Sequence, residues 1–404
     1  MSHSALTGAA LTQRFAELDQ WLVQHQALWR PRPFTETTLG WESCYPQLAA
    51  WLREQSLEHA ENAQSQPWSA RAPAPFPTLA EQAQHLSRIP ALAQRTARKT
   101  PTARFSRDIP GRKLEQIQAF SGSLNFSKAT QHWLDWCSGK GHLGRWLALE
   151  GQALTCLEYD PALVDAGRLI SQRCAIDAKH IEQDVLAENC LEHLHSQHTP
   201  VALHACGDLH VQLLKLASQQ GCQQLAIAPC CYNRISGQDY QPLSQTAIAS
   251  ALRLNRDDLA LPLNEAVTAP ARLRKRRDQS MAWRLAFDHL QRQIRGVDQY
   301  LPTPSLPPSW LEKPFARFCQ DLAELRQLPQ PPEQNWSQLE QHGWQRLAQV
   351  RNLELVRQLF RRPLELWLVL DRAIYLQEQG YNVSIGTFCH YDLSPRNLLL
   401  LAER

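Results

Sequence analysis

Five short apolar runs alternate with helical sequence between residues 132 and 228, and no other feature of this 404-residue chain constrains its fold as strongly. The runs are His132–Trp136, Ala153–Leu157, His180–Gln183, Val201–Ala205 and Gln224–Ala228, with helical stretches such as Leu143–Leu149 and Ala162–Cys174 between them. Parallel neighbours cannot be joined by a tight turn and need a crossover, usually a helix. The alternation therefore predicts an α/β fold built on a parallel, doubly wound sheet. Near the C-terminus a helix is expected over about 355–379. Two closing runs follow, Asn382–Tyr391 and Asn397–Leu401, separated by Asp392-Leu-Ser-Pro-Arg396, a corner of the hairpin kind.

The remaining segments are organised around this core. Residues 1–65 read as a helical region, with Leu11, Phe15, Leu18 and Leu22 three and four positions apart. Residues 66–110 form a proline-containing, basic connector, and residues 111–234 carry the first five strands. Residues 235–350 read as a helical insertion suited to substrate recognition, and 351–404 as the final helix and two strands. Hydrophobic residues make up 43% and charged residues 20%, enough to bury a core and too little charge for a disordered chain. The net charge is only +3, so any nucleic-acid surface has to be local. Eleven cysteines without an export signal point to reduced thiols in a cytoplasmic protein. No apolar run approaches the roughly 18 residues of a membrane span.

The sharpest local signal is Leu134-Asp-Trp-Cys-Ser-Gly139-Lys-Gly141-His-Leu-Gly144, a glycine turn between strand and helix. Such a turn lets a ligand approach the backbone, and the helix N-terminus beyond it offers free N–H groups. A dinucleotide and S-adenosylmethionine both use this architecture. The acidic neighbours discriminate between them. Asp135 ends the first strand, where a carboxylate would repel a pyrophosphate but suits a cationic amino group. Glu158, nineteen positions after Gly139, is placed for the ribose hydroxyls, and Asp184 for the adenine amino group. The bland alternative is that Asp135 and Asp184 merely cap loops.

Two further strand ends carry His204-Ala-Cys206-Gly-Asp208 and Pro229-Cys230-Cys231-Tyr232-Asn233. In a doubly wound sheet they open into the same crevice as the glycine turn. The thiols have three readings: packing, a metal site, or a nucleophile adding to a pyrimidine ring. The adjacent Cys230-Cys231 pair and the lack of a Cys-x-x-Cys count against a metal, so none is expected. Packing is the favoured reading. Asp208 and Tyr232 are expected to face incoming substrate. Together with Cys230 and Cys231 they form the candidate catalytic set.

The run Asp135–Gly144, with His204–Asp208, Pro229–Tyr232 and Asp392-Leu-Ser-Pro-Arg396-Asn397, resembles one family of class I S-adenosylmethionine-dependent methyltransferases. Its methyltransferase domain is also found in glutathione S-transferase C-terminal-domain-containing proteins and related methyltransferase-like proteins. The resemblance runs from about residue 111 to the C-terminus. It implies a Rossmann-like, seven-stranded sheet with an antiparallel last strand, and S-adenosylmethionine as cofactor. The expected cofactor contacts are Asp135, Cys137, Gly139, Lys140, Gly141, His142, Gly144, Glu158, Asp184 and His204. Cys137 stands where many members of the wider superfamily have glycine.

The target is a separate matter. Between Arg88 and Lys113 there are eight cations and one carboxylate, and Arg272-Leu-Arg274-Lys275-Arg276-Arg277 carries five cations in six positions. Such runs bind phosphates, although many are simply solvated helix faces. RNA, as tRNA or rRNA, is the favoured substrate, ahead of protein or a small molecule. A hydride-transfer enzyme and an inactive binding protein of the same fold are the rival classes.

Overall fold

The computed structural model describes residues 5–64, 66–95, 103–263 and 271–404. They divide into two compact units. One comprises Met1–Val23, Leu86–Leu263 and Pro363–Arg404, and the other Gln24–His85 and Asn264–Arg362. Residues 1–65 and 66–110 each contribute to both.

The first unit holds an eight-stranded sheet. Its strands are β1 (Leu6–Thr7), β2 (His132–Trp136), β3 (Ala153–Glu158), β4 (Ala178–Glu182), β5 (His198–Cys206), β6 (Gln224–Cys230), β7 (Asn382–Thr387) and β8 (Leu398–Glu403). Their spatial order is β1-β7-β8-β6-β5-β2-β3-β4. Strands β2 to β6 are mutually parallel, and β8 runs antiparallel to both β6 and β7. The count is eight rather than the expected seven, because Leu6 and Thr7 pair with Ile385 and Ser384 and lengthen one edge. Strand order reverses at β2, with β3 and β4 to one side and β5 and β6 to the other. Ligands of such sheets bind in the crevice at the strand C-termini beside that reversal.

Burial explains the strand sequences. Every residue of β6 is buried, as a central strand covered on both faces requires. Helices Pro161–Arg173 and Asp208–Gln219 supply crossovers, and Trp133, Trp146, Leu154, Val201, Ala226 and Leu399 meet in the core. The last long helix spans Trp336–Glu378, starting well before the expected position near 355, because buried Leu339, Leu347 and Val350 extend the helical period. In the second unit, the helices Ala271–Arg295 and Phe315–Leu325 pack through Trp283, Phe287, Phe315, Phe318 and Leu322. Trp283, just beyond the basic run, is therefore a core residue. Its Nε1–H donates to Glu340 at 2.8 Å.

A buried polar network in the first unit was not visible in the sequence. Asp371 is fully buried and accepts from the Leu243 and Ser244 backbone N–H groups at 2.9 and 2.8 Å, and from the Ser244 hydroxyl at 2.7 Å. The Tyr240 hydroxyl donates to Asp371 and accepts from Arg372 Nη1 at 3.0 Å. Arg372 Nε donates to His210 Nε2 at 2.7 Å, and His210 Nδ1 in turn donates to the Ala205 carbonyl at 3.0 Å. Burial holds His210 well below the usual histidine range, with the Arg372 charge adding to that effect. Its neutral ring thus relays one hydrogen bond from the C-terminal helix to the end of β5. Tyr240→Phe would leave both Asp371 and Arg372 short of a partner. We expect it to cost about 2–4 kcal/mol in urea unfolding, since unsatisfied buried groups carry their desolvation cost. A change under about 0.5 kcal/mol would contradict this role.

Candidate cofactor site

A cavity of about 320 Å³ opens at the C-terminal ends of the parallel strands, lined by Cys137, Glu158, Tyr159 and Gln183 with Asp184, Val185 and Leu209. Three of these, Cys137, Glu158 and Asp184, belong to the set expected from the sequence. The other four were missed. Tyr159 and Gln183 adjoin the two acidic residues, so the signal was their place at strand ends rather than their chemistry. Tyr159 is 72% exposed, which leaves its aromatic face open for stacking.

The strand-end carboxylates are held by backbone groups. Glu158 Oε2 accepts from Gly139 N–H at 2.8 Å, and Oε1 accepts from Asp160 N–H at 3.1 Å. Each oxygen retains acceptor capacity toward the cavity. Asp184 Oδ1 accepts from Leu186 N–H at 2.9 Å, and the side chain is exposed. A pair of carboxylates beside an exposed ring on a 320 Å³ cavity wall is a donor-seeking set that fits a nucleoside.

The glycine turn works through its buried backing. Asp135 is 2% exposed, and its Oδ2 accepts from Gly144 N–H at 2.8 Å. A Cβ at Gly144 would meet Leu154 Cδ1 at 2.6 Å and Asp135 at 3.0 Å, so helix and strand approach this closely only with glycine there. Gly141 caps the helix His142–Leu147 in the left-handed region. Cys137 also adopts a left-handed φ of +54°, a conformation glycine reaches without strain. Burial pushes its thiol up, and the Glu158 and Asp135 charges push the same way.

Other expected contacts lie elsewhere. His142 is 4% exposed, with Nδ1 2.9 Å from Arg145 Nη2, and the Lys140 carbonyl also accepts from Arg145. The motif places them together, but the buried Arg145 guanidinium, not the cavity, takes up His142. His204 sits at φ +67° beside the irregularity of β5, and its Nδ1 is buried with no hydrogen-bond partner among the described residues.

At the expected catalytic set the structure makes two corrections. Tyr232 does not face incoming substrate. It is 1% exposed, its hydroxyl donates to the Pro229 carbonyl at 3.4 Å, and its ring lies edge-on to His210 and 5.3 Å from the Arg372 guanidinium. The aromatic ring is worth more in the core, under a buried cation, than at an open mouth. Cys230 is likewise buried, and hydrogen bonding to Cys206, with burial, pushes its thiol up, which disfavours it as a nucleophile. Asp208 remains partly exposed, its Oδ2 accepting from Ser236 N–H at 2.7 Å. Cys231 is also partly exposed.

Residues 112–238 match a family model described as a methyltransferase domain. Among solved structures, the chain is similar to the plantazolicin methyltransferase BpumL, in complex with a triazolic desmethylPZN analogue and SAH. The identity there is 14%, covering 50% of this chain and 67% of that chain, with a TM-score of 0.23. The sheet order, the glycine turn and the matched domain define a Rossmann-like methyltransferase fold. Within residues 112–238 the chain matches a methyltransferase domain, and on that match it is an enzyme whose cofactor is S-adenosylmethionine. Among the described residues no helix is long and apolar enough to cross a membrane.

Asp135 makes the site pH-sensitive. Burial raises its carboxyl from 3.8 to about 7, against the opposing Gly144 hydrogen bond and the Lys113 and Arg145 charges. The folded state then keeps a proton that the unfolded chain releases. Stability from this group is greatest below about pH 4 and falls as pH rises toward 7, by roughly 4 kcal/mol in all. In cofactor-free protein, Asp135→Asn is expected to gain on wild type progressively between pH 4 and 8 in urea unfolding. A pH-independent difference would refute the assignment.

Proposed function

We propose that this chain transfers the methyl group of S-adenosylmethionine to RNA, either tRNA or rRNA. The bound cofactor would supply an electrophilic methyl carbon on its sulfonium. In this reading Glu158 takes the ribose hydroxyls, Asp184 the adenine amino group, and the exposed Tyr159 ring stacks on the base. The support is that Glu158 ends β3 and Asp184 lies two residues past the end of the adjacent β4, both line one cavity, and backbone N–H donors hold them there. The backbone of Gly139–Gly144 would pass beneath the methionyl part, with Asp135 behind it. Asp208 is the residue we assign to the acceptor. Alignment of acceptor and methyl can supply most of the rate without a protein nucleophile.

The RNA assignment rests on one observation above others. On helix Ala271–Arg295 the side chains of Arg272, Arg274 and Lys275 are exposed, whereas Arg276 is bound to Glu312 and the Pro308 carbonyl, and Arg277 to Asp278. Three cations along one exposed stretch suit a phosphate backbone. The Arg88–Lys113 run is a second candidate surface. Of its cations, Arg107 and Lys113 are exposed and Arg112 donates to the Leu393 and Asp392 carbonyls. Arg98 and Lys99 lie outside the described residues. The quoted motifs further support kinship with the methyltransferases that accompany glutathione S-transferase C-terminal domains.

Titration calorimetry on Glu158→Ala tests the cofactor placement. Loss of charge-assisted hydrogen bonds to both hydroxyls is expected to weaken S-adenosylmethionine binding at least about tenfold, or 1.4 kcal/mol. Unchanged affinity in a folded variant would exclude this placement.

For the substrate, labelled methyl transfer is expected into an RNA fraction and not into protein or small-molecule fractions. Neutralising Arg274 and Lys275 should weaken RNA binding and flatten its salt dependence by about two counterions. Wild-type binding that ignores salt between roughly 50 and 200 mM would overturn the RNA assignment.

A further inference from the structure

Three thiols converge at the end of β5 and β6. Cys206 and Cys230 are the last residues of these strands and stand opposite each other in register, while Cys231 follows directly. The Sγ atoms of all three lie within 4.8 Å of one another, and those of Cys206 and Cys230 are 3.6 Å apart. We propose that Cys206, Cys230 and Cys231 form a zinc site with three protein ligands and one open position.

The adjacency of Cys230 and Cys231 argues against a metal only while the strand stays regular. Successive residues of an extended strand point to opposite faces, so two neighbouring thiols could not share an ion. Cys231 is not extended. Its φ of +47° lies in the left-handed region, which turns its Sγ back to the side of Cys230. A non-glycine residue held there carries backbone strain of the kind usually retained for a functional reason. The register also slips between Leu203 and Cys206, and that irregularity re-aims Cys206 toward β6.

The spacing has the dimensions of a metal centre. Zinc–sulfur bonds of about 2.3 Å at a tetrahedral angle place sulfurs about 3.8 Å apart, close to the observed Cys206–Cys230 separation. Thiolate sulfur selects soft or borderline ions over magnesium or calcium. Arg234 and Arg396 lie near enough to act electrostatically on Cys206, so two positive charges offset part of the charge of three thiolates. The remaining eight cysteines are free thiols that join no such group among the described residues. Three protein ligands with an open fourth position is the pattern of catalytic rather than closed structural zinc sites. Leu209, three residues after Cys206, lines the cofactor cavity, so if the proposed function holds the ion would lie toward the acceptor side of that cavity.

Purified full-length chain, loaded with zinc and dialysed against metal-free buffer, is expected to retain about one zinc per chain by elemental analysis. Cobalt(II) in its place should show a thiolate-to-metal charge-transfer band in the near ultraviolet and the strong visible bands of tetrahedral coordination. Cys231→Ser and Cys206→Ser should each lose both signals, while Cys319→Ser, a buried thiol outside the trio, should keep them. Calorimetry with S-adenosylmethionine on the metal-free chain separates this idea from the proposed function, because cofactor binding does not require the ion. Zinc below about 0.1 per chain in wild type, no cobalt–thiolate band, or a band that survives Cys206→Ser would each overturn the site. Fluorescence and circular dichroism on the same samples confirm folding, and the wild-type cobalt spectrum decides the matter if a variant fails to fold.

Discussion

A guanidinium withdrawn from water has to recover its lost hydration from fixed acceptors, and Arg372 recovers it from His210, the Tyr240 hydroxyl and the Leu368 carbonyl. It is 2% exposed, with two tyrosine rings within 6 Å of its central carbon. His210 and Tyr240 come from chain segments more than 130 positions away, so a single buried charge ties the final helix to the start of helix Asp208–Gln219 and to the loop after β6. The Asp371 carboxylate beside it collects Leu243, Ser244 and Tyr240. Isolated ion pairs add little net stability, but removing one partner from such a set is expensive, which makes the arrangement specific even where it is not strongly stabilising. The ends of β5 and β6 take their positions from it.

How much of this could be read in the residues differs from place to place. The parallel strands were legible because alternating apolar runs and helices leave few other folds, and Glu158 and Asp184 because strand ends at a switch point face the crevice. Tyr159 and Gln183 share that placement but lack the carboxylate chemistry that marks a ligand, and Val185 and Leu209 carry no such signal. Whether a strand-end side chain enters the cavity depends on turn dihedrals that spacing does not reveal. Tyr232 shows the same limit in reverse. Its position after Pro229-Cys-Cys suggests an open mouth, but the buried Arg372, far along the chain, gives its ring a better place in the core. His142 was lost to Arg145, three residues on, through a contact that a motif cannot display. His210, the relay between Arg372 and β5, looks in sequence like any histidine on a helix.

The glycine turn and the thiol trio rest on the same device. Left-handed backbone at Cys137, Gly139, Gly141 and Cys231 breaks the alternation of a strand at the point where a ligand or ion would otherwise meet only every second side chain. Where glycine occupies such a position the conformation is nearly free, and where cysteine does it carries strain that neighbouring contacts must hold. The two kinds of position therefore tolerate substitution differently.

Strand β8 lies between β6 and β7 and is antiparallel to both, yet it follows both of them in sequence. Until Leu398–Glu403 has been made, β6 presents a bare edge of unpaired backbone groups, and every side chain along it is of the buried kind. A newborn chain thus carries its crevice, all but complete, beside an open seam that any other extended segment could occupy first. Arrival of Leu398–Glu403 closes the seam, so β6 is open to mispairing from the synthesis of residue 230 until that of residue 398.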